Sequence, residues 1–190
     1  MESLDLPFLP SAVVERWLLA GDSQQLCPIL GEITDLYLAT DPRERQSFAK
    51  SQMVGLVQQV LAKLDAHDDT LRLTCLRLLQ LIARDNAALF VDIMHQTYSW
   101  VQALLDDRSR VVRRATLALA ATIAAQVPMH FSAEYVLALV ESDSPHHQYA
   151  SKVACVSLLR LVVAHSGAQS LRPYVVRMAN CAVVEIVAGA

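Results

Sequence analysis

Glycine and proline are scarce in this chain, with 5 and 7 among 190 residues. They fall between apolar stretches, where they separate elements of secondary structure without interrupting them. Alternating runs of β-branched residues are absent, and so are the Asn-Gly and Asp-Gly pairs that close two-residue hairpins. Apolar residues recur instead at spacings of three and four, which is typical of helices. The sequence therefore predicts an all-α fold.

Charged residues are also few, at 18%, against 54% hydrophobic residues and a net charge of −3. Such an apolar excess indicates either a membrane protein or many helices that are buried on two sides. The longest uncharged stretch, 115–133, contains Pro128 and His130 and falls short of the about 20 apolar residues that a spanning helix needs. The N-terminus carries acids where a secretory signal has basic residues. We expect a chain of the cytoplasm or nucleus that has no membrane segment.

The four cysteines show no metal-binding or redox spacing. They form no Cys-x-x-Cys pair, and no histidines follow at zinc-finger distance. Each lies in an apolar stretch, which favours small buried residues in a reducing compartment. The four are Cys27, Cys75, Cys155 and Cys181.

The sequence also lacks clear motifs for catalysis, metal binding or phosphate binding. The adjacent His146 and His147 near Asp143 point about 100° apart on a helix and do not converge on a metal. The acidic turn around His67 lacks the spacing and the glycine of an EF-hand. Cys155 and His165 have no strained elbow beside them, and the chain has no glycine-rich phosphate loop. We predict no catalytic residue, no metal, no cofactor and no small-molecule substrate.

Turn and capping residues divide the chain into helices. Gly21-Asp22-Ser23 ends one helix and caps the next, and Asp41-Pro42 places proline in the first turn of a third. Asp85-Asn86 is expected to cap a further helix. The predicted helices cover about 11–20, 23–39, 43–64 with a break near 51, 70–84, 87–105, 110–126, 132–141, 147–165 and 170 or 172 onward.

Three of these segments repeat, namely 68–83, 108–124 and 147–164. Their basic residues Arg72, Arg113 and Lys152 fall at equivalent positions about 40 residues apart, and aliphatic residues align around them. The stretch 106–124, DDRSRVVRRATLALAATIA, resembles the turn and second helix of a HEAT or armadillo repeat. It has an acidic turn, then a small apolar residue followed by arginine, then aliphatics at helical spacing.

This resemblance implies a right-handed α-solenoid of antiparallel helix pairs. We expect residues 1–50 to form a divergent N-terminal hairpin or cap, followed by repeats at about 51–84, 87–126, 132–165 and a partial one at 170–190. All of them belong to one continuous domain, which we expect to be the N-terminal part of a longer protein. The apolar end, 178–190, lacks the polar face of a capping repeat.

The basic residues separate into two groups. The resemblance implies that the aligned residues Arg72, Arg113 and Lys152 form a structural ladder with turn aspartates of neighbouring repeats, for which Asp65 and Asp107 are candidates. The others are candidates for binding a partner, because arginine is enriched at interface hot spots. The candidate partner-binding residues are Arg108, Arg110, Arg114, Arg77, Gln80 and Arg84.

The sequence thus predicts a non-catalytic scaffold or adaptor that binds other proteins within a larger complex. The expected partner is a peptide or helix that lies in the groove or packs on the apolar C-terminal face. The alternative is a helical-repeat module that associates with nucleic acid or binds tubulin. The negative net charge argues against nucleic acid, and the acidic or neutral turns at 66–70 and 142–147 argue against tubulin.

Overall fold

A computed structural model describes residues 8–48, 50–64, 67–127, 133–134, 136–137, 141, 158–160, 162–164 and 168–180. Every regular element in this part of the chain is helical, which confirms the predicted all-α class. The chain divides into two compact units, unit 1 (Met1–Thr97) and unit 2 (Tyr98–Ala190). This boundary falls inside the predicted repeat 87–126, and the solenoid arrangement stays a prediction.

The long helices of both units are connected by short segments. Unit 1 contains α1 (Ser11–Leu19), α2 (Ser23–Ala39), α3 (Pro42–Ser47), α4 (Lys50–Leu61), α5 (Asp69–Asn86) and α6 (Ala88–Asp92). The boundary lies within α7 (Met94–Leu105), and unit 2 continues with α8 (Arg110–Gln126), α9 (Ala168–Leu171) and a 3-10 turn, Arg172–Tyr174. Residues 133–134, 136–137, 141, 158–160, 162–164 and 175–180 are also helical.

Aspartates define three helix starts in unit 1. The Asp22 carboxylate accepts a hydrogen bond from the Gln25 N–H at 2.9 Å, and this confirms the predicted cap of α2. Asp41 precedes Pro42, the first residue of α3, as the sequence predicts. The Asp68 carboxylate accepts from two N–H groups at the start of α5. Each cap satisfies donors that have no partner within the helix.

Two helix breaks lie where the local sequence does not place them. The third predicted helix is interrupted at Phe48, three residues before the predicted position near Ser51, and the Phe48 ring stacks on Phe8 at 5.1 Å between centroids. The predicted helix 87–105 has an additional break at Ile93, whose side chain is buried.

The predicted cap at Asp85-Asn86 is wrong. Helix α5 continues through Asn86, and α6 starts after Ala87, which has no side-chain cap. The Asp85 carboxylate instead accepts a hydrogen bond from the Tyr37 hydroxyl at 2.8 Å, so it is engaged across unit 1.

The core of unit 1 centres on α5. Its apolar residues recur at three and four and form one buried face, which packs on α2, while α3, α4 and α6 also contact this helix. Trp17 of α1 is buried, and its indole N–H donates to the Gln59 side chain of α4 at 2.9 Å. The most deeply buried side chains include Leu30, Ile33, Leu56, Val57, Val60, Leu71, Cys75, Leu78, Leu79 and Ile82.

The core of unit 2 joins α7 and α8 to the helical residues that follow them. Leu117, Ala121, Ala124, Tyr174 and Met178 cover it partly. Its buried members are Val101, Leu105, Ala120, Ala133, Val136, Leu137, Leu158, Leu159 and Val162. Helix α8 buries Val112, Thr116, Leu119, Ala120 and Ile123, whereas Val111 is 59% exposed.

The buried faces of α5 and α8 agree in register. Arg72 and Arg113 are each the fourth residue of their helix. Five equivalent positions are buried in both helices and support the repeat, whereas Arg72 and Leu76 are buried and their counterparts Arg113 and Leu117 are half-buried. The buried pairs are Leu71 and Val112, Cys75 and Thr116, Leu78 and Leu119, Leu79 and Ala120, and Ile82 and Ile123.

One carboxylate joins three elements of unit 1. Asp85 at the end of α5 accepts from the Tyr37 hydroxyl of α2 and forms an ion pair with Arg45 of α3, at 3.3 Å from Nε to Oδ2. The Arg45 guanidinium also lies 5.0 Å from the Tyr37 ring centroid. Burial and the Asp85 hydrogen bond raise the pKa of Tyr37, so its hydroxyl remains a donor throughout the neutral range.

We expect Asp85→Ala to destabilise the chain by about 3 kcal/mol, because it leaves the largely buried Arg45 without its counter-ion. Tyr37→Phe removes one hydrogen bond and keeps the ring, and should cost about 1 kcal/mol. Urea unfolding followed by circular dichroism measures both. Equal costs for the two variants would show that Arg45 does not depend on Asp85.

Candidate interaction surfaces on α5 and α8

The turn before α8 is held by its own polar groups. The Asp107 carboxylate accepts from the Ser109 N–H at 2.7 Å, and the Arg113 N–H bonds to the Ser109 carbonyl at 3.0 Å. The Arg113 guanidinium folds back and donates to the carbonyl oxygens of Asp107 and, at 3.1 Å, of Arg108. Arg113 is therefore a structural residue that fixes the shape of this turn.

The predicted ladder differs in its partners. The Arg113 guanidinium donates to backbone carbonyls of its own turn, whereas the Asp107 carboxylate accepts from the Ser109 N–H. Arg72 is only 7% exposed and forms an ion pair with Asp69 of the same helix. Lys152 and Asp65 lie outside the described residues. A ladder between repeats stays a prediction for Arg72 and Lys152.

The remaining arginines of this region face solvent. The side chains of Arg108, Arg110 and Arg114 are exposed, and they form no hydrogen bond or ion pair with the described residues. Arg110 and Arg114 are four residues apart and share one face of α8. Val111 adds exposed apolar surface beside them. We call these four residues, Arg108, Arg110, Val111 and Arg114, the α8 arginine surface.

The position of these charges is unfavourable for the isolated helix. The first turn of α8 has no acidic residue, and the Ser109 side chain makes no capping hydrogen bond. The N-terminal end of a helix is the positive end of its dipole, where a cation costs about 0.3–1 kcal/mol. Because the side chains of Arg108, Arg110 and Arg114 form no ion pair with the described residues, the α8 arginine surface presents exposed positive charge.

The three candidates on α5 also lie close together. Arg77 and Arg84 are seven residues apart, about two helical turns, and both are exposed, while Gln80 between them is half-buried. This face belongs to unit 1, and the α8 arginine surface belongs to unit 2. We call Arg77, Gln80 and Arg84 the α5 polar face.

Unit 2 contains an ion-pair network that the sequence does not predict. The Arg177 guanidinium donates to both carboxylate oxygens of Glu141, at 2.9 and 2.7 Å, and to the carboxylate of Glu134, at 2.9 and 3.1 Å. The hydrogen bonds from Arg177 lower the pKa of Glu141, and slight burial opposes this. Glu134 and Glu141 are seven residues apart, but nothing local points to a partner so far along the chain.

The described residues do not support a metal site or a cysteine nucleophile. In this part of the chain no three His, Cys, Asp or Glu residues come together as a metal site. Burial raises the pKa of the Cys75 thiol to about 12 and also raises that of Cys27, which makes both poor nucleophiles at neutral pH. Asp143, His146, His147, Cys155 and His165 lie outside the described residues.

The apolar C-terminal face is described only in part. Val175 and Val176 are exposed, whereas residues 181–190 lie outside the described range. Among the helices described, none combines the length and apolar character needed to cross a membrane.

The sequence matches no protein-family model and no curated protein at a significant level.

Arg113 and Arg110 should differ in their effect on stability. Arg113→Ala removes the two bonds that hold the turn and should cost about 1–3 kcal/mol in the free energy of unfolding. Arg110→Ala removes an exposed cation from the positive end of a helix and should change stability by less than about 0.5 kcal/mol. Urea unfolding of the two variants beside the parent chain measures this. An equal loss in both would contradict the structural role of Arg113.

The Glu141 interaction should depend on pH. Because its pKa is lower in the folded chain than its ordinary value of 4.5, the ionised carboxylate stabilises the folded state above about pH 4.5. This contribution is lost as pH falls through the folded pKa. In Glu141→Gln, the drop in Tm between pH 7 and pH 3 should therefore be about 2 °C smaller than in the parent chain. Glu15→Gln, an exposed glutamate of α1, is the control, and a matching change there would refute the assignment.

Proposed function

We propose that this chain is a non-catalytic scaffold or adaptor that binds other proteins within a larger complex. The observation that carries this proposal is the α8 arginine surface, where three exposed arginines without a described intramolecular partner lie close along the chain to an exposed valine. Cations at the N-terminal end of a helix add nothing to the stability of the fold. Arginine and aliphatic side chains together are typical of contact sites between proteins.

The surface is held in place before any partner arrives. Helix α8 buries Val112, Leu119 and Ile123, which anchors its opposite face to the core. The contacts of Arg113 and Asp107 fix the turn that carries Arg108. A partner therefore has little backbone ordering to bring about, which lowers the entropic cost of binding.

The architecture we propose is a HEAT or armadillo-like solenoid of antiparallel helix pairs. The equal register of buried positions in α5 and α8, and the equivalent places of Arg72 and Arg113, support it. Such arrays present extended surfaces for peptides and helices of other proteins. The α5 polar face is a second candidate contact region within this proposal.

A cytoplasmic or nuclear location is part of the same proposal. Cys27 and Cys75 are both free thiols, and Cys75 is fully buried in the core of unit 1. Buried free thiols persist where the compartment is reducing. Their raised pKa values also support a role without nucleophilic chemistry.

The test is recovery of partners from cells. A tagged full chain, crosslinked and purified, should retain a reproducible set of proteins identified by mass spectrometry. Arg110→Ala with Arg114→Ala should reduce that recovery at least several-fold while the helical circular dichroism signal is unchanged, because central arginines carry a large share of interface energy.

Arg160→Ala with Arg172→Ala is the matched control, since both residues are exposed arginines of unit 2 outside the surface. Recovery should remain at the level of the parent chain in this variant. If the parent chain retains no protein above the level of an untagged control, the scaffold proposal is wrong.

A further inference from the structure

We infer that the α8 arginine surface binds an acidic segment of a partner protein, in which carboxylates flank an aliphatic side chain. This inference rests on the proposed function and adds to it the chemistry of the partner. The occupant is fixed by charge complementarity and by the exposed apolar side chain of Val111.

Charge comes first. The guanidinium groups of Arg108, Arg110 and Arg114 have no counter-ion among the described residues. The acids nearest in sequence, Asp106 and Asp107, are half-buried and already engaged. A partner carboxylate would meet two favourable fields at once, those of the guanidinium groups and of the N-terminal end of α8.

The spacing of the arginines restricts how acidic residues can be arranged in the partner. Residues four apart on a helix lie about 6 Å from each other, so Arg110 and Arg114 can pair with two carboxylates at a similar spacing. A glutamate pair four residues apart on a partner helix meets this requirement. Each guanidinium has a planar fork of donors, which suits the two oxygens of a carboxylate.

The apolar contact favours a peptide over a nucleic acid. Val111 is 59% exposed and lies next to Arg110, so an aliphatic side chain of the partner can remove it from water. A phosphate backbone offers no such side chain at this point. Unit 2 carries 8 basic and 6 acidic residues, a net charge of +2, which is small for a nucleic-acid-binding unit.

The test measures peptide binding to the full chain by fluorescence anisotropy. The probe is a short fluorescein-labelled helical peptide that has glutamates four residues apart with leucine between them. One control peptide replaces glutamate by glutamine, and a second replaces leucine by serine. We expect Kd to rise about tenfold or more for the glutamine peptide and several-fold for the serine peptide, and binding to weaken as salt is raised.

Charge-reversal variants test whether the peptide binds at the α8 arginine surface. Arg110→Glu with Arg114→Glu should raise the Kd of the glutamate–leucine peptide at least about tenfold, since attraction becomes repulsion. The matched control, Arg160→Glu with Arg172→Glu, makes the same change in net charge elsewhere on unit 2 and should leave Kd within about twofold. Circular dichroism checks that both variants keep their helices.

Any one of four outcomes would overturn the inference. The glutamine peptide binds as tightly as the glutamate peptide, or the Arg110/Arg114 double variant keeps the parent Kd. Random-sequence duplex DNA displaces the peptide and binds more tightly than it does, which assigns the surface to nucleic acid. The chain sediments as an oligomer that the same double variant dissociates, which makes a second copy the occupant.

Different results would reject the scaffold function and the acidic partner chemistry. If the parent chain recovers partners from cells that the Arg110→Ala/Arg114→Ala variant loses, and the parent chain does not bind the acidic peptide, the partner chemistry is wrong and the scaffold proposal stands. If the parent chain recovers no partner, the scaffold proposal fails whatever the peptide does.

Discussion

Burial of a single apolar face along each of the two long helices, α5 and α8, is the constraint on which the other features depend. In α5 this face packs against α2 and is closed at its end by Asp85, which holds Tyr37 and Arg45. In α8, Ala120 belongs to the core of unit 2, and Leu117, Ala121 and Ala124 pack against that core. Because one face of each helix is committed to the core, the position of every arginine along the helix decides whether it serves the fold or faces solvent.

The position of an arginine within its helix distinguishes those that contact the fold from those that face solvent, although all of them look alike in the sequence. Arg72 and Arg113 occupy the fourth position of their helices, where the side chain reaches back to an aspartate or to turn carbonyls. Arg110 and Arg114 lie on either side of Arg113 along the same stretch and are directed to solvent. Around the helix axis Arg114 lies about 100° from Arg113 and Arg110 about 60° from it on the same side, so both point away from the turn that Arg113 contacts.

Local signals in the sequence predict much of the fold, and long-range contacts account for the rest. The caps at Asp22 and Asp41-Pro42 follow from local chemistry, as do the buried apolar stripes. The break at Ile93 is not indicated by any local pattern, and the Ile93 side chain is buried there. The α8 arginine surface can be proposed from spacing, but the engagement of Arg113 with carbonyl oxygens, and that of Arg177 with two glutamates, requires coordinates.

The folding back of Arg113 onto its own turn has an evolutionary consequence. A substitution at this position changes the backbone that displays Arg108, so selection for stability restrains it whatever the partner is. Substitutions at Arg110 and Arg114 leave the backbone as it is, and selection there acts through the partner alone. Related chains that have changed partners should therefore keep arginine at 113 and vary at 110 and 114, so two kinds of selective pressure act within one turn and a half of helix.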